Sequence, residues 1–121
     1  MSNLINFRNA IINNGGASYN LLNGEFNPEN GYMVSIKDHE QVTRFNTQNL
    51  QHEIARYIRS KADILISGLS EDKFIGAWIE DDNLVLDVSI KVNSLDDALQ
   101  IGKENEQRAI FDCNNSVTIN L

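Results

Sequence analysis

The sequence predicts an α+β fold, in which two or three helices pack against an antiparallel β-sheet in the approximate order αββαββαβ. Two segments carry this prediction. Residues 46–62 repeat apolar side chains at the spacing of an amphipathic helix, and residues 84–92 alternate apolar and polar side chains as a strand does. With 121 residues the chain has the size of one domain, which we place at residues 1–121.

The first predicted element is a short helix that ends at a pair of glycines. Five apolar residues recur there at helical spacing: Leu4, Ile5, Phe7, Ile11 and Ile12. They stop at Gly15 and Gly16, and glycine at this place is typical of a helix C-cap. A strand over residues 7–12 is the alternative.

Two strands are predicted next, at residues 17–22 and 31–37, and we expect them to pair with each other. The stretch between them is rich in turn-forming residues and holds Pro28, the only proline. The pattern therefore predicts a hairpin with a long loop.

The strongest helix prediction covers residues 46–62. Leu50, Ile54, Tyr57 and Ile58 fall at positions i, i+4, i+7 and i+8, so they form one apolar stripe. The other face carries charged side chains. This helix should therefore bury one side and expose the other.

A β-hairpin is predicted from residues 74–79 and 84–92, which flank a polar turn at residues 80–83. Two sets of side chains alternate in the second strand. One set is apolar and should face the core: Leu84, Leu86, Val88, Ile90 and Val92. The other set is more polar: Val85, Asp87, Ser89 and Lys91.

The last part of the chain is predicted to contain a helix and one or two strands. Ser94 stands three residues before Asp97, which resembles a capping box and indicates a helix up to about residue 104. Gly102 would let this helix pack closely on the sheet. The strands follow within residues 109–121.

The chain carries a formal net charge of −7. Its long-range field repels duplex DNA, RNA and anionic membrane surfaces, so we expect neither duplex nucleic acid nor a membrane as partner. A few Arg side chains and backbone amides can still hold a small phosphate-bearing ligand. Cys113 is the only cysteine, which rules out an intrachain disulfide and favours the reducing cytoplasm. The sequence has neither an apolar leader nor a long apolar run, so we do not expect a membrane protein.

Catalytic and cofactor motifs are missing from the sequence. It contains no GxGxxG, GxxxxGK, HExxH or GxSxG pattern. His39 and His52 lack a second ligand at zinc-site spacing, and Cys113 is more simply a small buried hydrophobe than a redox centre. We therefore predict a binding protein and not an enzyme, with no cofactor and no metal.

Asp87 and Ser89 point the same way from one predicted strand. A carboxylate in mid-strand opposes β-propensity and must either face water or be held by partners. The pair therefore either lines a polar pocket that accepts ribose hydroxyls or belongs to the solvent side of an antiparallel sheet.

Trp78 and Arg108 are two further candidates. Trp78, the only tryptophan, is best explained as a core residue, whereas in a ligand site it would stack on a purine. Arg108 stands where a helix gives way to a strand, which suits a pocket rim. There its guanidinium would hold a pyrophosphate, and the alternative is a surface ion pair with Glu104 or Glu106.

Several short stretches of the sequence carry a resemblance to a known family. They are Gly31-Tyr32-Met33-Val34-Ser35, Gly76-Ala77-Trp78-Ile79, Leu86-Asp87-Val88-Ser89 and Asn105-Glu106-Gln107-Arg108-Ala109-Ile110-Phe111-Asp112. From about residue 15 onward, the chain resembles the Thoeris anti-defence family of phage proteins, which act as sponges for a signalling nucleotide.

The resemblance implies a phage protein that works in the cytoplasm of the infected bacterial host. It would sequester glycocyclic ADP-ribose, the signal of TIR-domain enzymes, without cleaving it. Family members are homo-oligomers with nucleotide pockets at subunit interfaces, and some also hold cyclic oligonucleotides. By the same resemblance, the ligand-binding residues here are Tyr32, Trp78, Asp87, Ser89, Asn93, Gln107 and Arg108.

The competing hypothesis is an acidic phage inhibitor that binds a host defence protein directly, in the manner of a DNA mimic. A mimic should line acidic residues along one face, whereas acids and bases interleave here, as in residues 103–108. A small hydrolase of a cyclic nucleotide would need a general base and an activated water, for which the sequence offers no candidate. We rank both behind the sponge.

Overall fold

One antiparallel sheet of seven strands, with four helices packed against it, forms the fold in a computed structural model that describes residues 2–66 and 73–121. The helices are α1 (Ser2–Asn14), α2 (Leu50–Ser60), α3 (Ala62–Leu65) and α4 (Leu95–Glu104). The strands are β1 (Gly16–Tyr19), β2 (Tyr32–Ser35), β3 (Gln41–Arg44), β4 (Lys73–Glu80), β5 (Asn83–Val92), β6 (Ala109–Asp112) and β7 (Val117–Asn120). They lie in the order β1-β4-β5-β2-β6-β7, with β3 also paired to β5. The predicted α+β class is confirmed.

Helix α1 ends at the glycine pair, as predicted, and the alternative of a strand is wrong. Gly15 has a φ of +85°, and its N–H donates to the Ile11 carbonyl oxygen at 3.0 Å. Glycine adopts this left-handed conformation without the steric clash of a Cβ. Phe7 and Ile11 are fully buried in the core between helices and sheet.

The predicted hairpin between the first two strands is wrong. β1 pairs with β4, whereas β2 pairs with β5 and β6. The stretch between β1 and β2 folds back on β1: the Ser18 N–H donates to Asn27 Oδ1 at 2.8 Å, and the Asn27 N–H donates to the Ser18 carbonyl at 2.9 Å. These bonds occupy the outer edge of β1, and β2 joins the middle of the sheet.

Strand β3 is absent from the prediction, and it pairs with the part of β5 that β2 leaves unpaired. The second half of β5 pairs with β2, and its first half pairs with β3 on the same side. Between β2 and β3 the chain leaves the sheet as a loop, residues 36–40. This 36–40 loop borders the site described below.

The β4–β5 hairpin is confirmed, and its turn is tighter than predicted. Glu80 pairs with Asn83, so the turn consists of Asp81 and Asp82, whose φ angles are 51° and 65°. A two-residue turn with both residues in the left-handed region matches the twist of the two strands. The hairpin therefore fixes the register of the two longest strands.

Helix α2 buries the predicted stripe, since Leu50, Ile54 and Tyr57 are all buried. The helix begins at residue 50, four residues later than predicted. The Tyr57 hydroxyl donates to the His39 carbonyl oxygen at 2.6 Å, which ties α2 to the 36–40 loop.

The C-terminal elements agree with the prediction. Ser94 Oγ accepts the Asp97 N–H at 3.3 Å at the start of α4, and β6 pairs with β7. A Cβ added to Gly102 would lie 3.1 Å from Ile110 Cγ2, so glycine does permit close packing of α4 on the sheet. In the described part of the chain, no helix is long and apolar enough to cross a bilayer.

All four described helices lie on one face of the sheet. The core under α1, α2 and α3 contains Leu84, Leu86 and Val88 of β5, and the core under α4 contains Val34 and Ile110. The apolar set of β5 therefore faces the helices, as the alternation predicts. We call the other side of the sheet the open face.

The turn between β6 and β7 is organised by Asp112. Its Oδ1 accepts the Asn114 N–H at 2.9 Å and its Oδ2 accepts the Asn115 side-chain amide at 2.8 Å. Hydrogen bonds, first of all that from Asn115, hold the pKa of Asp112 below its ordinary value of 3.8, against the opposing effect of burial.

We expect Asp112→Ala to lower the midpoint of thermal unfolding at about pH 7 more than Asp96→Ala, which removes an exposed acid from α4. The folded-state pKa of Asp112 is lowered, so its stabilising contribution is present when the pH is above 3.8, its ordinary pKa. The contribution is lost as the pH falls through the folded-state pKa. The difference from wild type, followed by circular dichroism, should therefore shrink in acid. Equal midpoints for the two variants near neutrality would contradict the role of Asp112.

Candidate functional site

The open face carries three kinds of side chain along β4 and β5. In β4, Phe74, Gly76 and Trp78 lie on this face, opposite Ser89, Asp87 and Val85 of β5. The neighbouring strand β2 adds Met33 and Ser35, and Ser35 pairs with Ser89. Phe74, Met33 and Cys113 form a small apolar cluster at one end, and Trp78 stands at the other. Between these two ends lies a polar group of side chains.

Asp87 is the centre of that polar group. It is only 3% exposed, although no described helix covers it. The Ser35 hydroxyl donates to its Oδ2, and the Ser89 hydroxyl donates to its Oδ1 at 3.3 Å. The sequence left two interpretations of Asp87: a carboxylate on a wet face, or a carboxylate held by partners. In the structure Asp87 is buried and held by partners.

Burial dominates the electrostatics of this group. It raises the pKa of Asp87, while the hydrogen bonds from Ser35 and Ser89 lower it and the negative charge of Glu40 raises it further. The net direction is upward. Burial also raises the pKa of Tyr57 on the opposite face, with added contributions from the charges of Asp87 and Glu40.

A cleft of about 320 Å³ opens above Asp87, and we call it the narrow cleft. Its volume falls in the range of small-molecule sites, about 300–1,000 Å³. The residues that line it include Ser35, Glu40, Trp78, Asp87, Glu106 and Gln107. Aromatic, hydroxyl, carboxylate and amide groups therefore converge on one small space.

The narrow cleft continues into a wide groove of about 1390 Å³ along the open face. Ser89, Arg108, Phe111 and Cys113 line this groove, together with the stretch at residues 27–29. Arg108 and Phe111 are exposed there. The wide groove has room for a ligand with more than one ring.

Two loops that meet fix the rim of the narrow cleft. Lys37 of the 36–40 loop forms an ion pair with Glu106, and the Lys37 N–H donates to Asn105 Oδ1 at 3.1 Å. Glu106 itself has a φ of 58°, in the sharp turn between α4 and β6. The rim therefore depends on a contact between segments some 70 residues apart in the chain.

Five of the seven predicted ligand residues come together at this site. Trp78, Asp87 and Gln107 line both the narrow cleft and the wide groove, and Ser89 and Arg108 line the wide groove. Trp78 is half-buried on the open face and belongs to none of the apolar clusters of the described residues, so the core role we favoured for it is not the one observed.

The structure does not bring Tyr32 or Asn93 to the site. Tyr32 is next to Met33 in a strand, so it points to the other face, where it packs on the α4 core. Asn93 follows the end of β5, is exposed and lines neither cavity. Both residues were expected from the family resemblance. The alternation of β2 turns Tyr32 to the other face, and Asn93 lies beyond the end of β5, six residues from Asp87.

Arg108 does not make the ion pair that was its alternative role. Glu106 pairs with Lys37, and among residues 2–66 and 73–121 Arg108 takes part in no ion pair. Arg108 therefore lines the wide groove without a carboxylate partner from the described chain.

Ser35, Gly76 and Glu40 are the residues of the site that sequence reasoning missed. Ser35 joins Asp87 only through the pairing of β2 with β5, which no local pattern shows. Gly76 does carry a signal, since glycine inside an apolar strand often marks a close approach. A Cβ added to Gly76 would overlap Asp87 Oδ1.

The histidines and the cysteine take no part in a recognisable centre. Among the residues that the structure describes, no group of three His, Cys, Asp or Glu side chains is placed to hold a metal ion. Cys113 is buried with Met33 and Phe74, and burial raises the pKa of its thiol. A buried thiol of raised pKa is the unreactive kind.

The fold and this site together define an α+β protein with a ligand-sized cleft on the uncovered face of its sheet. Comparison of the chain with protein-family models, with curated proteins and with solved structures gives no match.

Proposed function

We propose that this protein binds a small cyclic nucleotide signal on the open face of its sheet and holds it without cleaving it. The ligand we name is glycocyclic ADP-ribose, with cyclic oligonucleotides as related ligands, and its capture by a phage protein would block TIR-based Thoeris signalling. One observation supports binding above all: half-buried Trp78 stands beside the buried carboxylate of Asp87 in the narrow cleft. The resemblance in sequence supports the choice of ligand.

The shape and chemistry of the site suit a nucleotide. An indole ring at the edge of a cleft gives a base a surface on which to stack, and such stacking tolerates different bases. The polar group around Asp87 adds directional hydrogen bonds. Arg108, without a carboxylate partner in the described chain, can bind a pyrophosphate through two parallel hydrogen bonds.

We also propose that the protein works as a homo-oligomer with the ligand enclosed at a subunit interface. The wide groove lies along the surface of a single chain, and no described helix covers the face on which it runs. A second subunit over this face would remove water from around a bound nucleotide and strengthen its polar contacts.

The test is native mass spectrometry of the purified protein with glycocyclic ADP-ribose, followed by heat release and analysis of the freed compound. We expect intact ligand bound in stoichiometric amount to an oligomer. Trp78→Ala and Arg108→Ala should each weaken binding about tenfold or more, because each removes a stacking surface or a charged hydrogen-bond partner. Arg59→Ala, on the exposed end of α2, is the matched control and should bind as wild type.

Two other outcomes would each indicate a different function for this protein. Release of a hydrolysed ligand would show an enzyme. If no ligand is retained, the sponge is wrong, and an inhibitor that binds a host defence protein directly takes its place.

A further inference from the structure

Both serine hydroxyls beside Asp87 are placed to donate to its carboxylate. Ser35 donates to Oδ2 and Ser89 donates to Oδ1, and their oxygens lie 3.5 Å apart. A serine hydroxyl has one hydrogen and two lone pairs, so a serine that donates to Asp87 can still accept from a ligand but has no hydrogen left to donate to it. We call Ser35, Asp87 and Ser89 the acceptor cluster.

The surroundings of the acceptor cluster have the same character. The Glu40 carboxylate lines the narrow cleft, and Gln107 Nε2 is already engaged with the Asn105 carbonyl at 3.1 Å. Lys37, the cation at the rim, is paired with Glu106. A phosphate placed here would meet acceptors and negative charge, and like charges in a desolvated site repel strongly.

Gly76 makes this arrangement possible. It lies directly opposite Asp87 in the β4–β5 pair, and the Asp87 carboxylate occupies the space that a side chain on residue 76 would fill. Alanine at this position would force the carboxylate away from Ser35 and Ser89. Gly76 therefore positions Asp87.

The spacing along β4 relates the acceptor cluster to Trp78. Trp78 and Gly76 lie on the same face two residues apart, which in a strand is about 6.6 Å. A nucleobase stacked on Trp78 would place its ribose near Asp87. The ribose is neutral, and each of its free hydroxyls is a hydrogen-bond donor.

We infer that the acceptor cluster is a subsite for a free ribose hydroxyl, that it excludes phosphate, and that Gly76 positions it. The inference deepens the proposed function and rests on it, since it takes the ligand to be a nucleotide. The pyrophosphate of such a ligand then lies in the wide groove at Arg108. The narrow cleft thus binds the neutral part of the ligand, and the wide groove binds the anionic part.

The experiment compares adenosine with 2′,3′-dideoxyadenosine, which keeps the base and lacks both hydroxyls, by amide chemical shifts in NMR titrations of the whole protein. We expect adenosine to bind at least about tenfold more tightly, because a site built to pair hydroxyls discriminates against the analogue that lacks them. The shifts should centre on residues 35, 76, 87 and 89. Inorganic pyrophosphate should shift Arg108 and leave those four amides unchanged.

Gly76→Ala tests the positioning role. It should abolish the preference for adenosine while the affinity for 2′,3′-dideoxyadenosine stays as in wild type, a split that a general loss of structure does not give. Asp96→Ala, at an exposed position of α4, is the control and should keep the preference. Ser35→Ala, which removes one member of the cluster and adds no atom, should also reduce the preference and serves if Gly76→Ala does not fold.

Equal affinities for the two nucleosides, no binding of either, or pyrophosphate shifts at residues 76 and 87 would each overturn the inference. These failures are distinct from failure of the proposed function. Retained glycocyclic ADP-ribose without discrimination between the nucleosides leaves the function standing and removes the subsite. Discrimination without retained glycocyclic ADP-ribose leaves the subsite standing and removes that signal as the ligand.

Discussion

Replacement of Phe74 by alanine is expected to lower the free energy of unfolding by about 3–5 kcal/mol, the largest effect on stability that we predict. Phe74 is 0% exposed, yet it lies on the open face and not among the helices. It packs with Met33 and Cys113 in a cluster separate from the core under the helices. Its loss would leave a cavity that no neighbouring helix can move to fill.

Phe111→Ala is the matched control for this prediction. Phe111 belongs to the same face of the sheet but is 42% exposed, so its removal should change the free energy of unfolding by less than about 1 kcal/mol. Urea unfolding of both variants, followed by circular dichroism, measures the difference. Similar losses for the two would show that the open face has no core of its own.

The Phe74 cluster matters for the site because of the strand register. Phe74 is paired with Ser89, and Met33 is two residues from Ser35 on the same face. The apolar cluster therefore fixes the strands that present the acceptor cluster. A rigid floor of this kind keeps a binding site preorganised, which reduces the entropy lost on binding.

The parts of the fold that the sequence predicts are those with a local cause. The turn after β4, the cap at Ser94 and the stripe on α2 each depend on residues that are close together in the sequence. The partner of a strand does not. β1 and β2 are neighbours in sequence, but their partners lie in β4, β5 and β6, and only packing of the whole chain decides this.

The candidate site divides in the same way. Asp87 and Trp78 stand out in the sequence because a charge in mid-strand and a single tryptophan are unusual residues in their places. Ser35 and Tyr32 are ordinary residues of one strand, and their roles depend on which face of the strand meets β5. A strand's alternation defines two faces, but it does not show which of them becomes the site.

We expect Asp87→Asn to raise the free energy of unfolding at about pH 7 by roughly 1–3 kcal/mol, because it removes a buried charge and keeps the shape of the side chain. The asparagine carbonyl can accept from Ser35, and its amide can donate to Ser89 Oγ. A gain in stability at the centre of a site indicates that the native residue is kept for function at some expense to the fold.

The dependence of this gain on pH follows from the raised pKa of Asp87, whose main cause is burial. In wild type, the contribution of Asp87 to the free energy of unfolding is fully present when the pH is below 3.8, its ordinary pKa. This contribution is lost as the pH rises through the folded-state pKa. The advantage of the variant should therefore vanish in acid and grow as the pH rises. Asp96→Asn, with the same change of charge at an exposed position of α4, is the control for the difference in stability near neutrality.

The same variant separates stability from binding. Asp87→Asn supplies an amide that takes up a serine lone pair and frees a serine hydrogen, so the cluster no longer offers acceptors alone. The more stable protein should then discriminate less between adenosine and 2′,3′-dideoxyadenosine. A variant that is less stable than wild type near neutrality would show instead that the two serine hydrogen bonds outweigh the burial of the charge, and Asp87 would then be a structural residue of the sheet.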